Sequence, residues 1–350
     1  MKNQSNRNGV IELWRFILIG AIGIMHFSNS YYGSSPYLGG AYVATEFFFI
    51  VSGYLLFSSF YKNKTRNEKT NAWQFTFRRI KNLYPCYLFS FLVLFCFIMV
   101  QEKASLNAWI SNLSQSAWEL SFLQISGLKG FRLFNYPAWY ISAMLIVGYF
   151  IYALLELEEE KFTKIIMPFA VLAIYCFFSK NSENIDVWGG AKILSISDAL
   201  MRAFAGMSLG GICYQTSQTL KMREYSHGQR IFITVIEWMA YITALILMNN
   251  QGHTQLDFYI IVLLAIGVTL SFVNISYRTK LSSNYLLLSS GRLSFAMFLN
   301  QILVIGFIGT YVDNLGYKEG ILLFLIALLF VSLIEIFIIR GLKYLKNKAL

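Results

Sequence analysis

Runs of apolar residues about twenty long, separated by short polar stretches, set the rhythm of this chain. A helix of that length matches the hydrocarbon thickness of a bilayer. Ten windows fit, near 14–31, 41–60, 83–100, 137–155, 165–179, 193–213, 231–248, 256–275, 285–311 and 320–340, the fifth being short. The stretch 104–128, ASLNAWISNLSQSAWELSFLQISGL, sets Trp and Leu among Ser and Asn. That mixture predicts an interfacial or re-entrant piece rather than a span. The longest polar connection, YKNKTRNEKTNAWQFTFRRIKN, is expected to be a loop with an interfacial turn around Trp73 and Phe75. No repeat, linker or low-complexity tract interrupts the pattern. The expected fold class is therefore all-α, a polytopic integral membrane protein of about ten transmembrane helices forming one domain over 1–350.

Composition agrees. Of 350 residues, 56% are hydrophobic and only 13% charged, which excludes an ordinary soluble enzyme of this length. The first apolar run leads into Tyr, Gly and Pro and then into further runs, so it is read as a retained span and not a cleaved leader. The net charge of +11 would suggest nucleic acid only if its distribution were ignored. With the N-terminus inside, 20 of the 29 Lys and Arg residues fall in cytoplasmic segments and six outside. This is a positive-inside signal with both termini cytoplasmic, and it leaves no nucleic-acid partner to invoke. The four cysteines (Cys86, Cys96, Cys176, Cys213) all lie in apolar segments without ligand spacing. They read as free buried thiols, with no metal site and no tightly bound cofactor expected.

Three arginines remain, inside spans: Arg15, Arg202 and Arg292. Arg15 precedes His26 by eleven residues, which on a helix is a rise of about 16 Å and a rotation of about three turns plus 20°. Both side chains therefore share one face, the arginine near the inner boundary and the histidine deep. Glu12, one turn before Arg15, is spaced to pair with it. An ionisable group at such depth costs roughly 2.5–3.5 kcal/mol even on insertion scales, so it marks function. Snorkelling for Arg15 and an interhelical hydrogen bond for His26 are the plain alternatives. The shared face favours a catalytic pair, since burial and neighbours can tune an imidazole into a general base.

From these residues outward the chain resembles the acyltransferase 3 family, bacterial membrane enzymes that acylate glycans. Glu12, Arg15 and His26 are similar to its opening motif. EFFFIVSGYLL (46–56), FRRIKNLYPCY (77–87), YPAWYISAML (136–145), MRAFAGMSLGGICY (201–214) and SGRLSFAMFLNQ (290–301) resemble later blocks in order. The third block departs at Asn82, where a second arginine is usual. Met144 stands where some branches have glutamate, and Asn300 where histidine is common. The chain is expected to be a stand-alone member of a bacterial plasma membrane.

The resemblance implies transfer of an acetyl or other short acyl group from acyl-CoA, the donor substrate, to a hydroxyl of a surface or lipid-linked polysaccharide. Arg78, Arg79, Lys81 and Arg292 are then the donor-binding candidates, because guanidinium forks pair with phosphate oxygens. His26, with Arg15 and Glu12, carries the chemistry, either as base for direct attack or as acyl carrier. Glu46, Trp139, Tyr140 and Arg202 are the acceptor-side candidates, with a Glu46–Arg202 ion pair as the structural alternative. The partners are acyl-CoA, the glycan acceptor and membrane lipid. A flippase for a lipid-linked glycan is the rival, but the repeats or paired broken helices it predicts are not seen.

Overall fold

The computed structural model describes residues 8–126, 132–187, 191–193, 196–250, 252–273, 284–312 and 315–348. Lys2, Arg7, Lys129, Arg278 and Lys280, which enter the charge count, lie outside the described residues. Among the described residues, ten long helices occupy the ten predicted positions. They are α1 (Gly9–Tyr32), α2 (Ala44–Thr65), α3 (Ala72–Gln101), α6 (Trp139–Lys161), α7 (Met167–Asn181) and α8 (Asp198–Lys221), followed by α9 (His227–Asn250), α10 (Leu256–Val273), α11 (Tyr285–Val312) and α12 (Tyr317–Lys348). Two short helices, α4 (Leu106–Gln115) and α5 (Ala117–Leu120), fill the stretch read as non-spanning. A scrap of antiparallel ribbon, Ala191–Ile193 with Ile196–Ser197, precedes α8.

Eight stretches of the described residues are long and apolar enough to cross a membrane. One of them, Tyr136–Asn181, holds both α6 and α7, joined through a non-helical Glu158 and a π-helical segment at Phe162–Ile166. α8 is not among the eight, because Asp198, Arg202, glycines and hydroxyl residues dilute its apolar content. It nevertheless packs against four long helices, α2, α6, α7 and α10. Its glycines explain why: a Cβ at Gly53 of α2 would land on the Met207 carbonyl of α8, and one at Gly210 on the Ile50 carbonyl of α2. Small residues let two backbones touch, which is how helices associate where no hydrophobic drive separates protein from lipid.

The expected loop over 61–82 is mostly helix. α2 runs on to Thr65, and α3 starts at Ala72 behind a capping box in which Asn71 accepts from Gln74 N at 2.8 Å. A reciprocal cap of this kind satisfies two otherwise orphaned donors, so the helix can begin well before its apolar run. Phe75 stacks on Tyr152 of α6 at 4.6 Å between ring centroids, while Trp73 stays exposed.

Packing produces two main cores. One joins α1, α9, α10, α11 and α12, the other α3, α6 and α8, and α2 contributes to both. Large apolar side chains such as Phe150, Phe169 and Phe337 point outward, as a lipid-facing belt requires. Cys96 and Cys176 share that exposed face, and only Cys213 is fully buried. The reading of four buried thiols therefore fails, because an apolar span also has an outer side.

Candidate active site

Between the two cores lies a cavity of about 440 Å³. Its walls follow helical periodicity. Arg15, Ile19, Ile22 and His26 form one stripe of α1, confirming the shared face. Arg79, Asn82, Leu83 and Cys86 form a stripe of α3, and Ile336, Ile339, Arg340 and Lys343 one of α12. Thr45, Phe48 and Ser52 come from α2, Trp139, Tyr140 and Met144 from α6, and Gly291, Arg292, Ser294 and Phe298 from α11.

Among the described residues five cations line the cavity and no carboxylate does. Arg15, Arg79 and Arg292 sit in the early turns of α1, α3 and α11, while Arg340 and Lys343 sit in the late turns of α12. The Nη1 of Arg79 and the Nε of Arg15 are buried without a hydrogen-bond acceptor among the described residues. Arg79 instead rests over the Phe75 ring at 5.6 Å. Arg15 reaches the Glu12 carboxylate at 3.4 Å, a long contact. Glu12 itself is buried outside the cavity, packed so tightly against Gly291 that a Cβ there would collide with its carboxylate. Buried guanidinium nitrogens without acceptors call for an anion, since leaving a charged donor unpaired is expensive.

Toward its other end the cavity reaches His26. The Tyr136 hydroxyl lies 3.4 Å from Nδ1, and the two rings meet nearly edge to face, with centroids 5.5 Å apart. Ser52 and Tyr140 share a hydrogen bond of 3.0 Å on the adjoining wall, and Ser52 also points at the Met144 sulfur. The Ser52–Gly53 pair thus divides its work: glycine faces α8 and serine faces the cavity.

The expected residues separate. His26, Arg15, Arg79, Arg292, Trp139 and Tyr140 are brought together. Arg78 and Lys81 are exposed and line no part of the cavity, because they stand one position before Arg79 and two after it on a continuous helix, about 100° and 200° around from it. Asn82, the departure from the family pattern, does face the cavity. Glu46 and Arg202 do not. They form a fully buried ion pair, Arg202 Nε to Glu46 Oε1 at 2.6 Å, with 1% and 0% of their side chains exposed. Tyr175 donates to Glu46 at 2.7 Å, and Arg202 donates to the Tyr42 carbonyl at 3.0 Å. The pair still touches the site indirectly, since the Arg202 guanidinium lies 5.6 Å from the centre of the Trp139 ring.

Asn300 is buried away from the cavity, bonded to the Ala296 carbonyl and to Glu335 of α12. Sequence reasoning missed that Arg340 and Lys343, counted there only toward topology, line the cavity, and that Tyr136 lies beside His26. The last was signalled by its place beside Pro137 in a quoted block. The basic tail carried no signal that it folds back over the cavity.

An all-helical bundle of apolar spans enclosing a cation-lined cavity that reaches a histidine defines a polytopic membrane protein. The chain belongs to the acyltransferase 3 family, whose model, an acyltransferase domain, matches residues 8–340. It is also similar to the O-acetyltransferase OatA of Staphylococcus aureus, for example strains NCTC 8325 / PS 47, COL and MRSA252, at 30% identity over 92 residues. That match covers 26% of this chain and 14% of each relative. No solved structure matches the chain.

Proposed function

We propose that this protein is a membrane O-acyltransferase that takes a short acyl group, acetyl in the first instance, from acyl-CoA at the cytoplasmic face and delivers it to a hydroxyl of a surface or lipid-linked polysaccharide. The observation that carries the reading is the cavity: five cations with no lining carboxylate at one end, and His26 at the other on the same face of α1. Coenzyme A has a matching shape, with phosphates at one end and a thioester at the end of a long flexible arm. The eleven residues from Arg15 to His26 give about 16 Å of helix rise, a distance such an arm can cover. Family membership supports the reaction class, and the names of the relatives support oxygen as the acceptor.

In this reading both termini and the cationic end are cytoplasmic. The early turns of α1, α3 and α11 and the late turns of α12 then all lie on the inner side, as the positive-inside count requires. In the transfer, His26 takes the hydroxyl proton as the acceptor oxygen attacks the thioester carbon, the C–S bond breaks, and the proton leaves on the coenzyme A sulfur. Alternatively His26 carries the acyl group between the two partners, with the same net balance. Trp139 and Tyr140 offer aromatic faces to the sugar. The protein sits in a bacterial plasma membrane, with lipid as its surrounding partner.

Two measurements test this. Mass analysis of surface glycan from cells with and without the protein should show an O-acyl increment that depends on it, and identical glycan in both would overturn the function. On purified protein, Arg79→Ala should weaken coenzyme A binding by about 10- to 150-fold, the equivalent of losing one charge-assisted contact of about 1.5–3 kcal/mol. Arg78→Ala should leave binding unchanged, because Arg78 is outside the cavity. Equal effects of the two would mean that the cavity is not the donor site.

A further inference from the structure

Outside the apolar stretches, a buried carboxylate serves no role in the reaction described above. Glu119 of α5 is fully buried, and among the described residues no Lys, Arg or His side chain forms an ion pair with it. Its two oxygens instead accept the backbone N–H groups of consecutive residues, Asn135 at 2.8 Å and Phe134 at 2.8 Å. Holding two successive peptide N–H groups on one carboxylate fixes both peptide planes, and such charge-assisted bonds are the strong ones. Around this clamp, Tyr87 of α3 donates to the Glu119 carbonyl at 2.8 Å. The Asn135 side chain donates to the Leu299 carbonyl of α11 at 2.9 Å. The segment is thus tied to three helices. The next residue is Tyr136, 3.4 Å from His26, and the 3-10 turn Tyr136–Ala138 leads directly to the cavity wall at Trp139.

We propose that Glu119 is a positioning residue for acyl transfer, holding the turn at 134–138 so that the Tyr136 phenol orients the His26 ring. The proposal rests on the reading of His26 as the acyl-transfer residue. With Nδ1–H donating to the phenol oxygen, Nε2 keeps its lone pair for the acceptor proton. A carboxylate is the side chain this clamp requires. Burial raises the Glu119 carboxyl above the usual range, and the two N–H groups offset part of that rise by favouring the charged form. The ionised form offers a full acceptor to each N–H, whereas the protonated acid leaves one of them facing its weaker hydroxyl oxygen. Glutamine, nearly the same size, would turn an N–H₂ group toward one of them.

Glu119→Gln is therefore the informative variant. Turnover should fall by about tenfold to a hundredfold, the scale of a small misplacement of a catalytic group. The KM for acetyl-CoA and the affinity for coenzyme A should stay at wild-type values, since the cationic end of the cavity is untouched. Tyr136→Phe should show the same split. The double variant should be no slower than the slower single one, because both act through one imidazole. Glu119→Asp, which keeps two acceptors, should recover part of the loss. Wild-type turnover in Glu119→Gln overturns the proposal, as does a double variant whose loss is the product of the single losses. So does a Glu119→Gln protein that loses coenzyme A affinity along with turnover. If Glu119→Gln fails to accumulate in the membrane, Tyr136→Phe decides alone, with full turnover overturning the idea. A His26→Ala control separates the two readings. If it retains turnover, the role of His26 fails and this proposal falls with it. If it alone is inactive while the other variants work normally, only the clamp falls.

Discussion

His26→Ala is expected to abolish acyl transfer while leaving the protein in the membrane and its affinity for coenzyme A unchanged. Removing a positioned general base costs about 10²–10⁴ in rate, and more if the imidazole carries the acyl group itself. The affinity should survive because the cations lining the cavity (Arg15, Arg79, Arg292, Arg340 and Lys343) remain in place. A stricter version moves the histidine without deleting it. One alanine inserted between Gly20 and Ala21 keeps both Arg15 and His26 but swings one against the other by about 100°, taking Ile22 and His26 off the stripe they share with Arg15 and Ile19. That variant should bind coenzyme A and transfer nothing. Acylation by a folded insertion variant would show that the common face of α1 is incidental.

The second large effect concerns stability. Arg202→Met should destabilise the protein by about 3–5 kcal/mol, the usual cost of stranding one member of a buried ion pair. Glu46 would keep Tyr175 as its hydrogen-bond donor but lose the cation it pairs with, at a fully buried position. The consequence should spread, because Glu46 begins the α2–α8 contact and also lies against Gly206, where a Cβ would press on its carboxylate. Glu46→Gln combined with Arg202→Met should be markedly more stable than Arg202→Met alone, since no unpaired charge is then buried. Thermal unfolding in detergent reads both. A single variant as stable as wild type would mean that the pair does not hold these helices together, and would return both residues to consideration as acceptor contacts.

Much of the architecture is legible in residue order because lipid imposes a one-dimensional rule. Every backbone polar group in the hydrocarbon must be satisfied within its own helix, so a run of apolar residues predicts a span without knowledge of its neighbours. All ten expected positions carry helices, and for every one but α8 this is the reason. The errors came where that rule does not act. α3 begins eleven residues before its expected span because the Asn71–Gln74 cap, and not hydropathy, sets its start. α8 fails on apolar content yet packs tightly into the bundle, since Gly53 and Gly210 bring it against α2 and its Arg202 meets Glu46 there. Cys96 and Cys176 face outward, as hydropathy cannot tell the lipid side of a span from its protein side.

The site divides in the same way. The likeness of Arg15 and His26 in direction follows from 3.6 residues per turn, a property of one helix, and so could be read along the chain. Which of Arg78, Arg79 and Lys81 meets a ligand could not, because that depends on the angle at which α3 presents itself to α1 and α11. Whether Glu46 and Arg202 bind sugar or each other depends on a contact between residues 156 positions apart. Arg340 and Lys343 enter the cavity only because α12 packs along α11 and brings the basic tail back beside the first helix. Helical periodicity and the bilayer act locally, on residues a few positions apart, and are written in their order. Charge pairing, close backbone approach and the shape of a cavity depend on side chains hundreds of residues apart, and exist only once the helices have packed.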